Sequence, residues 1–144
     1  MPQQSNAFRP LIVIFLLFAG VAGVTAFSRW HVSPELVTWS DNFNAARETA
    51  RAQHKPILLY FTASWCGPCQ EMRRSVWTDR RVADALSSRV TVRIDIDKQP
   101  DLARQYHTES IPQFFLMDSD GNIERSETGG MDADQFLTWI GKTS

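Results

Sequence analysis

The chain has 144 residues, 43% hydrophobic and 22% charged, with a formal net charge of −1. That is an ordinary globular composition, and a slightly acidic balance without a basic run argues against nucleic-acid binding. With the first 30 residues set aside, one domain of about 100–115 residues remains, enough to bury a core without structural disulfides.

Leu11 to Phe27 holds no charged residue and is rich in Leu, Ile, Val and Phe; Arg9 precedes it and Arg29 follows. As a helix it would span roughly 25 Å, slightly short of a hydrocarbon core. Two readings compete for residues 1–30. A signal peptide would be cleaved after Val24-Thr25-Ala26. An uncleaved membrane anchor is favoured by a run longer than the usual signal core. Either reading puts residues 31–144 outside the cytoplasm, in the periplasmic space, if the N-terminus stays inside.

Ser28 to Pro34 reads as a tether and Val37 to Trp39 as a brief first strand. Ser40 or Asp41 can cap a helix running to about His54, with Phe43, Ala46 and Ala50 on one face. Lys55-Pro56 ends it, and the apolar run Ile57 to Thr62 predicts a buried strand. A helix follows over Gln70 to Val76, then a helical segment from Asp79 to Leu86. Val90, Val92, Ile94 and Ile96 alternate with polar residues, as in a strand with one apolar side. Pro100 opens a short helix to about Tyr106, and Gln113 to Met117 is a strand. The turn-rich Asp118 to Asn122 leads to a strand over Ile123 to Thr128. Asp132 and Gln135 have capping-box spacing before Phe136, Trp139 and Ile140. The order is αβαβαββα, with the small strand in front.

Between the buried strand and the helix lies Trp65-Cys66-Gly67-Pro68-Cys69, which holds the chain's two cysteines. A C-x-x-C at a strand-to-helix junction reads as a redox pair. Cys66 would sit at a helix N-terminus, where unpaired N–H groups and the macrodipole stabilise a thiolate. Cys69, one turn on, lies on the same side and can resolve a mixed disulfide. Pro68 suits a first turn because its missing N–H costs nothing there. A purely structural disulfide is the weaker reading, since so short a loop removes little unfolded-chain entropy. For zinc, His31, His54 and His107 lack ligand spacing, whereas a two-thiolate Cu(I) site stays open.

These residues resemble the thioredoxin family over Leu36 to Gly141. The pentapeptide is identical to the thioredoxin motif, Ile111-Pro112 falls where the family has its cis-proline, and Gly129-Gly130 falls near its glycine loop. Tyr60 to Cys66, Trp77-Thr78-Asp79 and Phe115 to Gly121 look more like the C-terminal periplasmic domain of the membrane thiol:disulfide interchange protein. The resemblance implies an α/β thioredoxin fold. Its central mixed sheet is flanked by helices, with a parallel joining of the first strand and a closing antiparallel hairpin, here preceded by the N-terminal hydrophobic helix. It also implies that Cys66 is the nucleophile and Cys69 the resolving thiol. Trp65, Ile111, Pro112 and Gly130 would bind substrate: Trp65 as a ridge beside the thiol, Ile111-Pro112 as a backbone edge, Gly130 by close approach. Trp39, Trp77, Trp139, Met72, Met117 and Met131 read as packing.

Three departures stand out. Tyr60 occupies the position of the family's buried aspartate, and a phenol is a poor base at neutral pH. Arg73 replaces an acidic residue of the interchange-domain branch. Arg93 replaces a lysine on the following strand. Glu71, the nearest carboxylate in sequence, is offset by two from Cys69 and out of direct reach.

The expected activity is therefore thiol:disulfide exchange that reduces protein disulfides, without a cofactor or metal. A membrane electron donor would regenerate the dithiol. By resemblance, Gly-Pro between the cysteines favours a reductant. The alternatives are an oxidase or isomerase of the same fold, and a non-enzymatic Cu(I)-delivering or binding module.

Overall fold

The computed structural model describes residues 33–141. The expected apolar helix over Leu11 to Phe27 lies outside them. Pro34 opens the compact unit that carries the described elements, and among these no helix is long and apolar enough to cross a membrane. In chain order they are α1 (Phe43–Gln53), β1 (Ile57–Thr62), α2 (Gly67–Ser75), α3 (Arg80–Leu86), β2 (Val90–Asp95), α4 (Pro100–Gln105), β3 (Gln113–Met117), β4 (Ile123–Thr128) and α5 (Ala133–Gly141).

The strands form one mixed sheet in the order β2-β1-β3-β4. β1 runs parallel to β2 and antiparallel to β3, and β3 and β4 make the closing antiparallel hairpin. Strand periodicity divides the core into two layers. Leu58, Tyr60, Phe114 and Leu116 point to one side, with Met72, Trp77, Phe136 and Trp139. Ile57, Leu59, Phe61, Phe115 and Met117 point to the other, against Phe43, Ala46 and Ala50 of α1. Covered on both faces, β1 reads as an unbroken apolar run, which is why Ile57 to Phe61 are all essentially inaccessible.

Two local expectations are corrected. Val37 to Trp39 forms no strand. The Leu36 N–H donates to the Trp77 carbonyl at 2.8 Å, the Thr38 carbonyl accepts from the Thr91 hydroxyl, and only Ser40 bridges to Val92, in parallel. A backbone committed to scattered partners cannot build a ladder. The cap of α1 is Asn42, not Ser40 or Asp41: its Oδ1 accepts from the Ala45 N–H at 3.1 Å, while the Ser40 hydroxyl accepts from the Asn42 N–H at 3.2 Å. The helical segment expected over Asp79 to Leu86 forms as α3, although the shorthand order omits it, and Asp79 starts it afresh by accepting from the Arg81 N–H at 2.8 Å. The box at α5 forms as its spacing predicts, Asp132 and Gln135 each accepting from the other's N–H.

Candidate active site

The buried end of β1 delivers the chain to Cys66, which caps α2 in an extended conformation. The Cys69 N–H donates to the Cys66 Sγ at 3.2 Å, so a helix N-terminal dipole is aimed at that sulfur. The two cysteines are joined in a disulfide, S–S 2.07 Å, and each residue is only 3% exposed. Pro68 lies in the first turn. The Gln70 side chain donates to the Ser64 carbonyl at 2.6 Å, fastening the helix start to the preceding loop.

Around the pair the structure assembles the other predicted residues. Trp65 is 64% exposed, so it is no packing aromatic; its indole N–H donates to Asp97 at 2.9 Å. The Ile111-Pro112 peptide is cis. Ile111 packs against the layer that contains both cysteines, and the Pro112 carbonyl accepts from the Gly129 N–H at 2.8 Å. That bond draws the glycine loop inward. Gly129 takes φ 107°, and a Cβ on Gly130 would stand 3.3 Å from the Pro68 Cβ. A side chain there would press on the motif's proline, so glycine lets the loop close on it.

On the other side, Cys69 borders a cleft of about 430 Å³ with Tyr60, Thr62, Arg73, Trp77, Arg93 and Asp95 among its walls. Tyr60 stacks on Phe114 at 4.9 Å and donates to the Thr62 hydroxyl at 3.2 Å. Burial pushes its pKa above the ordinary 10.0, against smaller opposing effects of Thr62, Trp77 and Arg93. The Tyr60 hydroxyl is therefore a fixed hydrogen-bond donor across the working pH range and not a proton acceptor. Glu35, which does not line the cleft, pairs with both of its arginines. Only 20% of its side chain is exposed, and it binds Arg93 at 2.7 Å and Arg73 at 4.0 Å. It also accepts from the Trp39 indole at 3.1 Å. Sequence reading missed Glu35, because no local periodicity marks a partner 58 positions away. Asp97, 32 positions from Trp65, was missed for the same reason.

The buried phenol has a consequence for pH. Folding favours its neutral form, so its contribution is complete below about pH 10 and is lost as pH rises past the unfolded tyrosine value. Thermal melts between about pH 8 and about pH 11 should show stability falling at the alkaline end. The fall should be shallower in Tyr60→Phe; Tyr106, whose pKa burial also raises, contributes to the fall in both proteins. An equally steep fall in Tyr60→Phe would remove Tyr60 as a cause.

A mixed sheet whose first buried strand delivers a C-x-x-C pair to a helix N-terminus, with a cis-proline loop beside it, defines a thioredoxin-type disulfide fold. The comparisons agree: the thioredoxin-like family profile matches residues 38–119, and the chain belongs to that family. It is 35% identical to Thioredoxin Y2, chloroplastic, of Arabidopsis thaliana over 68% of this chain and 57% of that one. It is 30% identical to Thioredoxin Y, chloroplastic, of Oryza sativa subsp. japonica, over 96% of this chain and 77% of that one. Among solved structures, the reduced C-terminal domain of DsbD from Neisseria meningitidis aligns with a TM-score of 0.59 at 30% identity, over 67% of this chain and 90% of that one.

Proposed function

We propose that this protein is a thiol:disulfide oxidoreductase that reduces protein disulfides outside the cytoplasm. The observation that carries the reading is the Cys66 sulfur, bonded to Cys69 and receiving the N–H of a helix N-terminus at 3.2 Å. In the reduced protein that N–H favours the Cys66 thiolate. The thiolate attacks a substrate disulfide, one substrate sulfur leaves as a thiol, and a mixed disulfide forms. Cys69 then attacks Cys66, restoring the internal disulfide and releasing the second substrate thiol. Two electrons pass from the dithiol to the substrate. Trp65 and the Ile111-Pro112 edge flank an extended substrate segment, with Gly130 letting its loop close on Pro68 beside them.

The extracytoplasmic assignment rests on the uncharged run Leu11 to Phe27, read as the membrane tether, and on likeness to a DsbD C-terminal domain. A membrane electron donor regenerates the dithiol. The deciding measurement is the reduction potential of the Cys66–Cys69 pair in the full chain, by equilibration with glutathione. A value near about −270 mV is expected for a reductant. A value near about −120 mV would make the protein a donor of disulfides and overturn the direction.

A further inference from the structure

We propose that Arg73 and Arg93 ready Cys69 for its attack by stabilising its thiolate, in place of a carboxylate base; this rests on the dithiol reading above. Arg73 follows Cys69 by four residues in α2, so the two side chains share one helix face, and both border the same cleft. Arg93 reaches that cleft from β2, where it pairs in register with Tyr60. Glu35 holds the Arg93 guanidinium at 2.7 Å and stands 4.0 Å from the Arg73 Nε, and Arg93 also lies over the Trp39 ring at 5.5 Å. Arg93 is therefore held in place by side-chain contacts, and Arg73 is placed by its helix position.

The other titratable groups on the cleft are Tyr60, Asp41, Asp95 and Lys98. Tyr60 is neutral. Arg73, Arg93 and Lys98 face Asp41 and Asp95 on the wall, and Glu35, which touches the arginines without lining the cleft, brings the charges to balance. What favours the thiolate is that the two guanidinium groups border the cleft with Cys69 while Glu35 does not. A thiol facing such a wall has its pKa lowered. The Cys69 proton leaves to water in the open cleft, and the Cys69 thiolate then forms the bond to Cys66. The bond from Cys66 to substrate breaks, and the departing substrate thiolate takes a proton from solvent. Arg73 and Arg93 touch no reacting atom in this scheme; they are positioning residues that act through the field.

The test uses the full chain with Cys66→Ser, so that Cys69 is the one thiol left. Its titration is followed by thiolate ultraviolet absorbance, with a variant lacking both cysteines subtracted to remove tyrosine. Arg73→Gln and Arg93→Gln should each raise the Cys69 pKa by about half a unit, roughly three-fold less thiolate at neutral pH. Arg73→Lys should restore it, and Asp95→Asn should leave it unchanged or lower it. Added salt should narrow the difference, because the Arg73 side chain is 60% exposed and open to screening. An unchanged Cys69 pKa in both glutamine variants overturns the proposal. If Arg93→Gln fails to fold, exposed Arg73 decides alone. The titration needs no turnover, so it can fail while the reduction potential still reports a reductase, or succeed where the reductase reading fails.

Discussion

Cys69→Ser is expected to turn the protein into a trap, whereas Cys66→Ser should abolish turnover. The N–H that points at the Cys66 sulfur belongs to the backbone of residue 69, so it survives the serine substitution. Cys66 therefore keeps its thiolate stabilisation and still opens a substrate disulfide. What is lost is the second attack, and the substrate stays bound through sulfur. With oxidised insulin as substrate, Cys69→Ser should give one stoichiometric adduct on a non-reducing gel and no catalytic phase. Cys66→Ser should give no such adduct at position 66 and a turnover reduced by on the order of 10³-fold or more, as for loss of any nucleophile. Sustained turnover by either variant would remove the two-thiol mechanism.

How legible the site was depended on how local its interactions are. The Asp132–Gln135 box spans three positions, and both bonds form as the spacing predicts. The double-sided burial of β1 followed from an apolar run too continuous for a half-exposed strand. The cis peptide at Ile111-Pro112 was legible only through resemblance, since its residues alone point to the commoner trans bond. At α1 three successive residues, Ser40, Asp41 and Asn42, could all cap; the register in which Phe43 enters the core selected Asn42. Glu35 and Asp97 were illegible because each is defined by a partner brought near by the sheet. Even so, the departures visible in sequence, Tyr60, Arg73 and Arg93, are the residues that meet around the Cys69 cleft. At that cleft a buried phenol and two guanidinium groups stand where the resemblance leads one to expect an acid and a lysine.

The largest stability effect is expected at Trp77, where that cleft meets the core. Its ring is fully buried and meets Trp39 and Phe136 edge-on at 5.1 Å each, with Tyr60 at 5.4 Å. Its carbonyl also holds Leu36, anchoring the segment that carries Glu35. Trp77→Ala should cost about 3–5 kcal/mol, the range for truncating a buried aromatic, and lower Tm by roughly 10–25 °C. Trp77→Phe should cost far less, under about 2 kcal/mol, because it keeps a ring in place. Similar losses in both variants would show that the indole's outer ring, not the aromatic cluster, carries the stability. The reduction potential separates this structural role from a redox one. A loss shared equally by the oxidised and reduced forms leaves the potential unmoved, since the potential reports only their difference. Trp77→Ala should therefore melt early in both redox states with the potential of the parent chain. A shifted potential would mean that Trp77, through Tyr60 and the Cys69 cleft, favours one redox state over the other.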